Sequence, residues 1–131
     1  NIPAPLRKQF LTKDKKTFVV TRGIDQCAWI YPINEWNFIQ NELKQLSSLS
    51  KTNRIFLRNH LRHANILKFD SQGRFVLPQS LIDYSAIKKD VTIIGVLNKI
   101  EIWNPNLLRK IDQSDEIDDQ SYEELSERVN I

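Results

Sequence analysis

Apolar and polar positions along the chain follow two periods, and the switches between them mark the elements. Thr17-Phe-Val-Val-Thr-Arg22 is dense in β-branched residues and predicts a strand. Gly23–Gln26 predicts a turn, and Cys27-Ala-Trp-Ile-Tyr31 the returning strand of a hairpin. Pro32 suits the first turn of a helix, where its missing N–H is not needed. Ile33, Trp36, Ile39 (beside Phe38), Leu43 and Leu46 then recur at helical spacing through about Leu46. Ser47-Ser48-Leu49-Ser50 breaks that stripe. Ser50 is placed to cap a second helix through about Arg62, because its hydroxyl can accept one of the first unpaired backbone N–H groups. Beyond it, Ala64–Phe69 predicts a strand, Asp70-Ser-Gln-Gly73 a turn and Arg74–Leu77 a return strand. Pro78 opens a short helix to about Tyr84, and Val91–Leu97 predicts a buried strand. Asn98-Lys99 predicts a tight turn and Ile100–Trp103 its pairing partner. Asn104 caps a further short helix that starts at Pro105.

The pattern repeats. Ile2-Pro3 matches Leu77-Pro78, Leu6 matches Leu81, Val19 matches Val91, Gly23 matches Gly95, and the strand Cys27–Tyr31 matches Lys99–Trp103. A duplicated unit is expected: a first half over 1–46, a connecting helix over 47–63, a second half over 64–111 and a tail over 112–131. In the second half a strand–turn–strand precedes the Pro-initiated helix. Nothing before Ile2 corresponds to it, so the first half is expected to be truncated at its N-terminus, lacking an equivalent hairpin.

Composition adds an asymmetry. The 131 residues carry a net charge of +3, yet 18 of the 19 basic residues and 8 of the 16 acidic ones lie in 1–111, leaving +10 there. The remaining segment holds eight acids against Arg128 alone, or −7. A basic body suits an anionic partner, and a −7 tail is expected to compete with that partner for the body. No apolar run is long enough to cross a bilayer, so no membrane partner is expected. The single cysteine, Cys27, cannot form an internal disulfide and fits a reducing compartment. The tail itself has a capping-box pattern at Ser121–Glu124 and a thin stripe of Tyr122, Leu125 and Val129, which predicts a short frayed helix or disorder.

Candidate chemistry concentrates in Phe69-Asp-Ser-Gln-Gly-Arg-Phe-Val-Leu-Pro78. A turn tip can enter a DNA groove while its strands stay anchored. Gly73 allows the tight turn, with Gln72 beside it. The planar fork of Arg74 matches guanine O6 and N7, or clamps phosphates. Asp70 is expected to pair with Arg74 and preset its direction; an ordinary type I turn closed by a surface Asp–Arg pair is the plainer alternative. Lys51, Arg54, Arg58 and Arg62 recur on one face of the second helix, with Ile55 (beside Phe56) and Leu61 available to the core. That stripe, with Lys68, supplies candidate phosphate contacts; a solvated face, or a subunit contact satisfied by acids on a neighbour, is the alternative. Lys13, Lys15 and Lys16 read as solvated.

Other groups point away from catalysis and metal binding. His60 and His63 share a helical face, but no Cys or acid is spaced to complete a metal site. Cys27 reads as a core thiol. The acids Asp115, Glu116, Asp118 and Asp119 sit in a segment with too few apolar residues to hold catalytic geometry. No phosphate-binding glycine loop is present. Trp29, Trp36 and Trp103 read as core anchors rather than base-stacking platforms.

Asp70-x-x-Gly73-Arg74, followed by an apolar run and Pro78, resembles the DNA-reading hairpin of AbrB-like proteins. Val20–Asp25, Tyr31–Trp36, and Ile93–Val96 with Glu101–Trp103 resemble the MraZ family in particular, in order from Ile2 to about Leu108, with only the acidic tail outside. The resemblance implies an α+β fold of two pseudo-symmetric AbrB-like halves that form a β-barrel-like core with short helices. It implies a bacterial, non-enzymatic transcriptional regulator, a repressor at promoter direct repeats of the division and cell-wall gene cluster. Its expected partners are double-stranded DNA and further copies of itself in a ring, with no cofactor or small-molecule substrate, in the cytoplasm at the nucleoid. Asp70, Gln72, Gly73 and Arg74 would read DNA, with Lys51, Arg54, Arg58, Arg62 and Lys68 on phosphates. An AbrB-like antitoxin with a toxin on its tail, and a scaffold whose basic face binds an acidic protein, are the rival readings.

Overall fold

A computed structural model describes Ala4, residues 17–114 and residues 117–129. The chain forms β1 (Thr17–Arg22), β2 (Ala28–Pro32), α1 (Ile33–Leu43), α2 (Lys51–Arg62) and β3 (Asn65–Lys68). It continues with α3 (Gln79–Ser85), β4 (Thr92–Val96), β5 (Lys99–Trp103), α4 (Pro105–Ser114) and α5 (Asp119–Arg128). The strands make one antiparallel sheet in the order β3-β1-β2-β5-β4. The fold is α+β, as expected. Among the described residues the sheet is open, with β3 and β4 as its two edges, so the expected barrel-like closure is not found there.

Side chains on successive residues of a strand point to opposite faces, and both faces of the three central strands are buried. One face collects Phe18, Val20, Ala28, Ile30, Ile100 and Ile102 under Leu81 of α3 and Phe69, with Phe75 and Leu77 against them. The other collects Val19, Cys27, Trp29, Tyr31 and Trp103 under Trp36 of α1, with Leu108 and Ile111 of α4 packed on them. Burying each large side chain stabilises the fold by about 1.5–3 kcal/mol. The three tryptophans are buried, as the sequence pattern indicates.

The repeat is visible in the sheet. Trp29 faces Glu101 in the central β2–β5 ladder. These are also the two positions that the repeat equates, so a pseudo-two-fold axis passes between them. The first strands slip by one residue, however. Val20 lies opposite Ile30, and Ile93 opposite Ile102. The structure therefore equates Val20 with Ile93, and the expected matches of Val19 with Val91 and Gly23 with Gly95 are each one residue off. The turns differ in length: the Gly23 N–H donates to the Cys27 carbonyl at 2.9 Å across three residues, whereas Val96 pairs with Lys99 across Leu97 and Asn98. The expected Asn98-Lys99 turn thus sits one residue earlier. The matches at Ile2-Pro3 and Leu6, and Lys13, Lys15, Lys16, Asp115 and Glu116, lie outside the described residues.

Two further expectations change. Arg74–Leu77 keeps its alternation, with Phe75 and Leu77 against the core and Val76 exposed, but it joins no ladder among the described residues. Phe75 stands edge-on to Phe18 with ring centroids 4.9 Å apart, which draws the segment over the sheet face instead of alongside β3. Pro78, without an N–H, ends it. On α2, Ile55, Phe56 and Leu61 are all partly exposed, and the residue that enters the core is His60. The Thr21 hydroxyl donates to the His60 carbonyl at 2.7 Å, and the His60 ring lies 6.0 Å from Trp36 and 5.6 Å from Phe56.

Candidate nucleic-acid interface

Between β3 and α3 the chain makes its most tightly specified turn. The Gly73 N–H donates to the Asp70 carbonyl at 3.1 Å, and the Asp70 N–H donates to the Arg74 carbonyl at 2.8 Å. Gly73 has φ 76°, where a side chain would clash with the backbone. This is a three-residue hairpin loop whose last residue must be left-handed, which explains glycine there. The Asp70 carboxylate closes it: Oδ1 accepts from the Gln72 N–H at 2.8 Å and the Arg74 N–H at 2.9 Å. Those two bonds, Arg74 first, hold the Asp70 carboxyl below the usual carboxylate range, and the nearby guanidinium charge adds less.

The expected Asp70–Arg74 side-chain pair is not formed. Both Asp70 contacts are to backbone, because a carboxylate a single methylene from its own Cα reaches the N–H groups of its turn more readily than a guanidinium on a long, mobile stem. Arg74, Gln72 and Lys68 are exposed, and none has a side-chain hydrogen bond or ion pair among the described residues. The turn presents a planar cation and an amide with free donors on a fixed backbone.

Three phenylalanines fasten that turn to the sheet. Phe18 stacks on Phe69 with centroids 4.2 Å apart, and Phe75 sits edge-on to both, at 4.9 Å and 5.9 Å. Phe69 and Phe75 flank the turn directly in sequence, so their spacing carried the signal. What sequence could not supply was Phe18, on β1, as the third member.

The basic stripe of α2 is partly engaged. Arg54 donates through Nη1 to the Ser48 and Leu49 carbonyls at 2.8 Å and 3.1 Å, tying down the loop before its helix. Arg62 donates to Asn59 Oδ1 at 3.1 Å. Lys51 and Arg58 have no side-chain partner among the described residues. Ser50 caps the helix as expected, accepting from the Asn53 N–H at 3.2 Å.

The groups read as non-catalytic sit as follows. Cys27 is fully buried, and burial, with the Glu101 and Asp25 carboxylates, pushes its thiol up to about 12. His60 is buried and His63 half-exposed, and no three or more His, Cys, Asp or Glu gather around a common point among the described residues. No described helix is long and apolar enough to cross a membrane.

The described residues thus form an open two-faced sheet of internal repeats that carries a solvent-facing Asp-x-x-Gly-Arg turn. The comparisons place the chain further. The model of the MraZ protein family, described as antitoxin-like, matches twice, over residues 1–59 and 60–129. A transcriptional regulator MraZ from Natranaerobius thermophilus is 38% identical over 128 residues, 98% of this chain and 85% of that protein. One from Clostridium botulinum is 39% identical over 129 residues with the same coverage, and one from Halothermothrix orenii is 38% identical over 125 residues. The chain belongs to the MraZ family. The names these relatives carry are those of a regulator, not of an enzyme.

Proposed function

We propose that this chain is a sequence-specific DNA-binding transcriptional regulator and not an enzyme, acting in the cytoplasm at the nucleoid. In this reading the two halves, 1–46 and 64–111, are joined by 47–63, and several copies assemble into a ring. The copies bind successive direct repeats in the promoter of the division and cell-wall gene cluster and repress it by occupancy. Weak contacts from single turns add through effective concentration.

The observation that carries the reading is Arg74. It is exposed and unpaired, on a turn locked by Asp70 and Gly73 and anchored by Phe69 and Phe75. A preset backbone lowers the ordering cost of binding, and a free planar fork is what guanine O6 and N7 require. Gln72 offers an amide beside it, while Asp70 and Gly73 serve by shaping the loop. Lys68, Lys51, Arg54, Arg58 and Arg62 are the phosphate contacts of this reading, which position without specifying sequence.

The test is fluorescence anisotropy with spaced repeats from the DNA upstream of the protein's own gene, against a scrambled duplex, across a salt series. Arg74→Ala should lose about 1–3 kcal/mol on the repeats and little on the scrambled probe. Lys68→Ala should weaken both probes alike and reduce the salt slope by about one. Wild-type selectivity retained by Arg74→Ala would rule out base reading by this turn.

A further inference from the structure

The acidic C-terminal helix and the seam between α1 and α2 are complementary surfaces, and each is open. Tyr122, Leu125 and Val129 are exposed at i, i+3 and i+7 of the α5 stretch, which places them on one face. Asp119, Glu123 and Glu127 follow at four-residue intervals along the adjoining face. The helix is well founded as an element: the Asp118 carboxylate accepts from the Ser121 N–H at 2.7 Å and caps it. An isolated ten-residue helix is marginal in water, so an exposed stripe of this kind calls for a partner.

A groove of about 220 Å³ runs between α1 and α2, with Leu43, Leu57 and Leu61 on its walls and Lys44 and Gln40 at its rim. Arg54 and Arg58 precede Leu57 and Leu61 by three residues, so they stand next to those leucines on the helix surface. No Asp or Glu occurs from Leu43 through Phe69. The Arg54 guanidinium is already fixed on the Ser48 and Leu49 carbonyls, which holds its charge at the start of α2. An apolar floor with Lys44 at its rim, and Arg54 and Arg58 beside its leucines along α2, suits an acidic amphipathic helix better than a phosphate backbone, which has nothing to place against three leucines.

We propose that α5 of a second copy of this chain docks in the α1–α2 groove, with Tyr122, Leu125 and Val129 on the leucines and Glu123 and Glu127 against Lys44, Arg54 and Arg58. Groove and helix are carried by the same chain and are open together, so each copy can give its helix to one neighbour and receive another's. That is a heterologous contact, which closes into rings when the rotation allows. The proposal rests on the reading that the chain self-associates, and it assigns the surfaces.

Two full-chain variants test it, one reversing the helix (Glu123→Lys with Glu127→Lys) and one reversing the groove (Lys44→Glu with Arg58→Glu). Mass is read by light scattering on size exclusion, without DNA, after circular dichroism has shown each variant folded. Wild type should exceed the 15.4 kDa protomer. Each variant alone should fall toward that mass, and an equimolar mixture should recover the assembly, because each helix then meets a groove of opposite charge. Such recovery requires a contact between chains. Variants that keep the wild-type mass overturn the proposal while self-association through another surface stands. Loss without recovery on mixing also overturns it and points to a contact within one chain. A wild type of protomer mass overturns both.

Discussion

Ala86 and Gly73 hold the same kind of backbone conformation with opposite consequences. Ala86 ends α3 at φ 54° and ψ 33°, the left-handed region, and its side chain is exposed. Its Cβ therefore costs strain without contributing packing. Ala86→Gly should raise stability by up to about 1 kcal/mol, measured as a higher urea midpoint with an unchanged slope. Gly73 is left-handed at φ 76° and is buried at the turn. Gly73→Ala should cost about 1–2 kcal/mol and loosen the presentation of Arg74. Only the glycine could be suspected from sequence. A glycine after Asp-x-x announces a left-handed turn residue, whereas an alanine announces nothing.

Among elements, α2 departs furthest from its sequence pattern. Its periodicity singles out Ile55, Phe56 and Leu61, but His60 is the residue that meets the sheet, beside Trp29 and Trp36. Burial holds the His60 imidazole below its ordinary value of 6.5, with a hydrogen bond to the Arg22 backbone opposing the shift. Because the folded state disfavours the proton, the unfolded chain binds more protons just below that value. Stability is then full above it and declines as pH falls through about 6.5 toward the lower folded-state value. Thermal melts from about pH 8 to about pH 5 should show this decline, and His60→Phe should flatten it. A decline of equal size in His60→Phe would transfer the effect to His63, whose pKa is also lowered. The hairpin after β3 shows a second limit. Its turn residues were legible in order, yet the return segment 74–77 forms no ladder among the described residues, where Phe75 packs instead on Phe18 from a strand far away in sequence.

At the scale of the whole molecule the two halves are interlocked. β3 begins the second half but pairs with β1 of the first, and Tyr84 of α3 donates to the Gly23 carbonyl at 3.2 Å. Across the central seam the Glu101 carboxylate accepts from the Trp29 indole at 3.2 Å and the Trp103 indole at 3.0 Å, with Lys99 Nζ 4.7 Å from the Trp29 ring. Glu101→Ala strands the indole donors of two buried tryptophans and should cost about 2–4 kcal/mol. Unfolding should still be one cooperative transition followed alike by tryptophan fluorescence and circular dichroism, since neither half retains a covered sheet alone. The sequence by itself determined the repeat, all five strands of the described sheet to within a residue or two, and the Asp70–Arg74 turn. Those features depend on local periodicity and on residues with private backbone preferences. Only the tertiary structure decided the open sheet, the crossing of β3 to the far half, the one-residue slip between repeats and the burial of His60. Each of these is set by which distant side chains compete for the same face, and that competition leaves no trace in local spacing.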